Sequence, residues 1–184
     1  MRAVRKDRGR TPRACGGGPT PPVPPPQSES KGKTMADEKK IDELVRRAVE
    51  AGLEGVDFIQ RFDYADLCRE YNGIGPEWAG ECIRAWATGK LALFEPAALI
   101  HDMRNAESDG TREGFERAND EFFRNCRRLA DRAYPWWRPR RYIMRYLSVV
   151  LYDFVAGPGG WVAWRECALA RREKLERERD AGKQ

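Results

Sequence analysis

The placement of proline constrains this chain more than any other feature. Seven of its twelve prolines, Pro12, Pro19, Pro21, Pro22, Pro24, Pro25 and Pro26, crowd the start of the sequence beside Gly16, Gly17 and Gly18. The other five, Pro76, Pro96, Pro135, Pro139 and Pro158, are spread over the remainder. Proline fits the first turn of a helix and breaks its interior. The first group therefore forbids regular structure, and the second punctuates it. Residues 1–34 also hold almost no large apolar side chain beyond Val4 and Val23. Such a stretch buries too little surface to offset its ordering entropy, and we expect it to be disordered. It lacks the apolar run of a secretory signal. Met35 opens a different text, Met35-Ala36-Asp37-Glu38-Lys39-Lys40. A true translation start at Met35 is one expectation from that join, and mass spectrometry of the native amino terminus checks it.

Charge divides the chain at the same place. The tail has eight Lys and Arg against Asp7 and Glu29, a charge of +6, and the whole chain carries +5, which leaves −1 for residues 35–184. The basic isoelectric point thus belongs to the tail and gives no argument for nucleic-acid binding by the domain. Within the domain, residues 35–123 have 11 basic and 20 acidic side chains, a net −9. Residues 124–145 have Arg124, Arg127, Arg128, Arg132, Arg138, Arg140, Arg141 and Arg145 against Asp131 alone, a net +7 and a local basic patch. The five scattered cysteines, Cys15, Cys68, Cys82, Cys126 and Cys167, have neither metal-site spacing nor a disulfide framework, so we read them as reduced thiols. No run of apolar residues is long enough to span a membrane.

Apolar residues recur at helical spacing from residue 37 onward. Ile41, Leu44, Val45, Ala48 and Val49 make one stripe, with Asp37 as a cap and Gly52 as a stop. Asp63 is placed to cap a short helix through Cys68. Tyr71-Asn72-Gly73-Ile74-Gly75 reads as a loop, and Pro76 opens a helix with Trp78, Cys82, Ile83 and Trp86 that Gly89 ends. Pro96 opens the next, with Ala97, Leu99, Ile100 and Met103. After the Asp109-Gly110 turn, Thr111 caps a longer helix with Phe115, Ala118, Phe122, Leu129 and Ala133. Pro135 closes it, and Pro139 precedes a helix with Tyr142, Ile143, Tyr146, Leu147, Val150, Leu151 and Phe154. A last, strongly charged helix starts near Trp161, so residues 35–160 are the domain and 161–184 its charged helical end. No alternating strand pattern appears, and the expected class is all-α.

The chemistry gathers around the single histidine. His101 is followed by Asp102, and the short turn beyond them places the next helix antiparallel, carrying Asn119, Asp120 and Phe123. Upstream stands the glycine loop Tyr71–Gly75. The order of glycine loop, His-Asp helix, turn and Asp-bearing helix resembles the phospholipase A2 superfamily. It is most similar to the short, disulfide-poor forms of viral capsid proteins and bacteriophages, where His-Asp precedes an Asp-x-x-Phe segment. The resemblance covers residues 71–123, and the loop lies farther upstream of the histidine than in the secreted enzymes. Those enzymes also have cysteine and tyrosine where this chain has Ile100 and Asn105.

The resemblance implies hydrolysis of the sn-2 ester of a glycerophospholipid. It implies His101 as the base that takes a proton from water, and Asp120 as the group that orients it. It further implies Ca²⁺ bound by the carboxylate of Asp102 and the carbonyls of Tyr71, Gly73 and Gly75. Calcium favours six to eight oxygens, and glycines let loop carbonyls turn inward to supply them. The ion polarises the ester carbonyl.

Tyr134-Pro135-Trp136-Trp137-Arg138-Pro139-Arg140-Arg141-Tyr142 is the most unusual stretch of the domain. Tryptophan beside arginine suits a phospholipid membrane surface, since the ring sits at headgroup depth and the guanidinium meets phosphate. Trp136, Trp137, Arg138, Arg140 and Arg141 are therefore the interface candidates, and the bland alternative is a helix corner whose tryptophans fill the core. The same residues suit single-stranded nucleic acid less well, because the rest of the domain is acidic. Two functions follow: a Ca²⁺-dependent esterase, or a non-catalytic helical virion or accessory protein that binds membrane or a protein partner through this face.

Overall fold

The computed structural model describes residues 30–71, Ile74 and residues 91–182, with side chains from Glu38 onward. The tail before Ser30, the loop positions Gly73 and Gly75, and the expected helix from Pro76 lie outside the described residues. Every regular element among the described residues is helical, as the periodicity required.

Helix α1, Ser30–Ala51, begins several residues before Met35, so the helical part of the chain reaches into the stretch expected to be disordered. It ends at Gly52, which takes the left-handed φ of 63°. A short turn of helix, α2 (Val56–Ile59), follows and was not foreshadowed by any periodicity. Helix α3 spans Tyr64–Glu70, and the Asp63 carboxylate accepts from the Asp66 main-chain N–H at 2.7 Å, the expected cap. A 3₁₀ turn, Ala92–Phe94, leads into α4 (Glu95–Ala106), with Pro96 in its first turn. Helix α5 spans Arg112–Ala133 and is capped by Thr111, whose hydroxyl accepts from Gly114 N–H at 3.0 Å. Helix α6 spans Pro139–Val155, and α7 spans Pro158–Ala181. The last helix thus starts at its proline rather than near Trp161. Gly160 makes that early start sterically feasible, because a Cβ there would lie 1.8 Å from the Val155 carbonyl oxygen.

The core sits where α1, α3, α4 and α5 meet. Ile41, Leu44 and Ala48 of α1 pack with Leu67, Phe94, Leu99, Ile100 and Met103, and with Phe122, Cys126 and Leu129 of α5. Burial at this density supplies the dominant stabilisation, about 1.5–3 kcal/mol for each large apolar side chain. A second cluster joins Phe115 and Ala118 to Trp164 of α7, with Trp161 against it. The Glu54–Gly55 turn is pinned to α5 from both sides. Asn125 accepts from Glu54 N–H at 2.8 Å and donates to the Glu54 carbonyl at 2.9 Å. Gly55 has φ 84° and no room for a side chain, since a Cβ would meet Glu121 Oε1 at 2.7 Å and Ile100 at 2.8 Å. Helices α4 and α5 are joined by residues 107–111 alone and run antiparallel, which sets up the site.

Candidate active site

His101 stands at the edge of the buried face of α4, with 11% of its side chain exposed. Its ring packs on Phe122 of α5 at 4.9 Å between centroids. Its Nε2 lies 3.0 Å from Asn119 Oδ1, and its Nδ1 lies 3.4 Å from Asn105 Nδ2. An amide oxygen only accepts, so Nε2 carries the proton and donates to Asn119. The Nδ1 lone pair then faces the amide donor of Asn105 across a long contact. Both neighbours favour one neutral tautomer. Burial pushes the His101 pKa below its ordinary value near 6.5, while the Asn119 bond and the charge of Glu121 act the other way. The imidazole is therefore uncharged at neutral pH.

Asn119 is 1% exposed, and its Nδ2 has no acceptor among the described residues. A buried donor left without a partner costs about 1–3 kcal/mol and calls for a reason.

The expected pair of His101 and Asp120 is not formed. Successive helical residues point about 100° apart. Asn119 occupies the face toward α4, and Asp120 turns outward, exposed, where it accepts from the Tyr152 hydroxyl at 3.1 Å. Phe123 goes with it and packs on the Tyr152 ring at 5.2 Å. The segment that meets the histidine is Asn119-x-x-Phe122, one residue earlier than the Asp120-x-x-Phe123 expected from sequence. The apolar stripe of α5 carries the signal for this register, because Ala118 and Phe122 flank Asn119 on the buried side.

The carboxylate of Asp102 lies 4.0 Å from His101 Nδ1, beyond hydrogen-bond reach. Its charge also acts on the half-buried Tyr71, whose phenol is pushed above its ordinary value by burial, by Glu95 and by Asp102. Tyr71 donates to Glu95 Oε1 at 3.2 Å, and Lys40 pairs with the same oxygen at 2.9 Å. Of the three carbonyls expected to bind calcium, only that of Tyr71 falls among the described residues. The other two expected carbonyls, Gly73 and Gly75, lie outside the described residues. Among the described residues, no three His, Cys, Asp or Glu side chains gather into a metal site. The described donors, one carboxylate and one carbonyl, fall short of a calcium cage.

No family model, curated protein or solved structure matches the chain.

The interface candidates divide. Trp136 and Trp137 are 68% and 62% exposed and meet edge to face at 5.9 Å, so they do not fill the core. Arg138 and Arg140 are exposed beside them, with Arg140 over the Tyr134 ring. Arg141 is turned inward and donates to Asp131 at 2.8 Å, so it is a structural ion pair and not a member of the outer face. Beyond the tryptophans, α6 is apolar on two sides. Met144, Leu147 and Leu151 pack inward, while Tyr142, Ile143, Tyr146, Val149, Val150 and Phe154 are exposed. A contiguous set of exposed apolar side chains on one helix marks a surface fit for a partner or a membrane. No helix among the described residues is long and apolar enough to cross a membrane.

Proposed function

We propose that this chain hydrolyses a carboxylic ester at a phospholipid surface, with His101 as general base. The observation that carries the reading is the bond from His101 Nε2 to Asn119 Oδ1 across the antiparallel helix pair. A base needs a neutral ring, one nitrogen held by an acceptor and the other carrying a lone pair. His101 has the neutral ring and the held Nε2, and a water acting at Nδ1 would have to displace the long contact from the Asn105 amide. In the proposed step Nδ1 takes a proton from water as the water oxygen bonds to the ester carbonyl carbon. The proton then passes to the departing alkoxide. Asn119 keeps the ring oriented, as asparagine does in Cys-His-Asn sites. An amide stabilises the imidazolium less than a carboxylate, so the turnover expected is modest. The substrate implied by the resemblance is the sn-2 ester of a glycerophospholipid. The resemblance also implies calcium, for which Asp102 and the carbonyls of Tyr71, Gly73 and Gly75 would be the ligands and polarisation of the ester carbonyl the contribution.

A second reading is docking without hydrolysis, favoured by the amide at position 119 and by the exposed apolar face of α6 with Trp136 and Trp137. Tryptophan, tyrosine and arginine together match the boundary between headgroup and acyl chain. One experiment separates the readings. Fatty-acid release from mixed phospholipid vesicles is measured with Ca²⁺ or chelator, for the wild-type chain and for His101→Ala, with vesicle co-sedimentation in parallel. Release that needs His101 supports the esterase, and its dependence on Ca²⁺ decides the cofactor. No release, with binding that Trp136→Ala/Trp137→Ala abolishes, supports docking alone. Neither release nor binding overturns both.

A further inference from the structure

The outer face of α6 takes no part in the core or in the histidine site. Tyr142, Ile143, Tyr146, Val149, Val150 and Phe154 are each between 41% and 67% exposed. Arg145 is drawn aside to Asp131, at 3.6 Å, so no charge interrupts this face from Tyr142 to Val150. Three of the six side chains are aromatic, and an aromatic side chain carries about 150–250 Å². The open area is therefore several hundred Å², the size at which a patch marks an interaction site. A standard interface takes about 800 Å² from each partner, so this face is most of one. Its spacing points to a helix as the partner. Pro139, Ile143, Tyr146, Val150 and Asp153 are all exposed and follow one another at alternating steps of four and three. A mean step of about 3.5 residues keeps a seam turned toward a second helix.

Charge decides which helix. Arg138 and Arg140 at the start of α6 and Asp153 near its end are exposed, and none of them makes an ion pair with a described residue. Other carboxylates near that end are engaged. Glu116 is held by Arg112, and Asp120 accepts from Tyr152 with the charge of Arg124 acting on it. The face is thus basic at one end and acidic at the other, which makes it complementary to itself turned end for end. We propose that α6 pairs with α6 of a second copy of this chain, antiparallel and centred near Tyr146. A two-fold axis there sets Asp153 of each copy level with Arg140 of the other, and Ile143 level with Val150. A bilayer fits the face less well, because Asp153 lies in line with Ile143 and Val150 and hydrocarbon offers it no partner. The pairing is independent of the ester chemistry at His101, and it competes with a membrane for the α6 face.

The test is sedimentation velocity of the wild-type chain without lipid, over concentrations of about 1–200 μM. The expected result is a monomer–dimer equilibrium with half-dissociation on the order of 10 μM. Tyr146→Glu should weaken it about a hundredfold, with the helical circular dichroism unchanged because the position is exposed. Asp153→Arg and Arg140→Glu should each weaken it about fivefold, and the two together should restore the wild-type equilibrium. A chain that is monomeric throughout overturns the proposal. Co-sedimentation of that monomer with phospholipid vesicles, lost in Tyr146→Glu, then assigns the face to a membrane. A dimer indifferent to Tyr146→Glu overturns the proposal as well, and a double variant as weak as the single ones overturns the antiparallel register.

Discussion

Asn119 and Asn125 stand six positions apart on α5, and neither is more than 1% exposed. Asn125 uses both ends of its amide on the main chain of Glu54 and fastens the α1–α2 turn to the helix. Asn119 uses only its oxygen, on a histidine, and leaves its N–H₂ without an acceptor. The first arrangement is what stability alone selects. The second leaves a donor unsatisfied while it holds a titratable ring in one tautomer, which is the arrangement the proposed esterase reading uses. The same residue type on one helix thus has two environments, one fully satisfied and one not.

Asn125→Ala should show the largest effect on folding. It strands the N–H and the carbonyl of Glu54, and a loss of about 2 kcal/mol follows from two part-buried hydrogen bonds. Thermal unfolding checks this, and an unchanged melting temperature would break the contrast. Asn119→Ala removes one bond and also one orphan donor, so a loss of about 1 kcal/mol is expected by the same measurement.

The pH dependence of stability sharpens the comparison further. The pKa of His101 is lowered in the folded state, so the unfolded chain takes up the proton first as pH falls. Stability from this group is complete above pH 6.5 and is lost as pH falls from there toward the folded pKa. Denaturant titrations at pH 7.5 and pH 5 should therefore diverge in the wild type. The divergence should shrink in Asn119→Asp, where a carboxylate raises the His101 pKa, and should persist in Asn125→Ala. The smallest effect belongs to Tyr152→Phe. Its hydroxyl meets Asp120 at the surface, and the change in stability should stay within about 0.5 kcal/mol.

Much of the fold was legible because its punctuation is local. Asp63, Pro96, Thr111 and Pro139 act within one turn of themselves, and each starts the helix expected of it. The first turn of α1 and the Pro158 start of α7 were not legible. The first lies in a stretch whose composition disfavours order, and the second depends on a close contact between Gly160 and Val155. At the site, His101 and its antiparallel partner helix were legible, but the register of that helix was not. An acid was expected behind the histidine because the resemblance implies one, and the Asp-x-x-Phe segment assigned it to Asp120. Packing decides otherwise, since Ala118 and Phe122 carry Asn119 inward with them. A polar residue inside an apolar stripe was the available signal, and Asn125 gave the same one. The inward turn of Arg141 depends on Asp131, ten residues earlier on another helix, and no local pattern announces it.

The decisive measurement is fatty-acid release from phospholipid vesicles by Asn119→Ala beside Asp120→Ala, each at the same folded concentration. If Asn119 holds the catalytic base, Asn119→Ala loses release by about a hundredfold or more, and Asp120→Ala keeps it near the wild-type level. Loss in Asp120→Ala with retention in Asn119→Ala would contradict the arrangement at its centre.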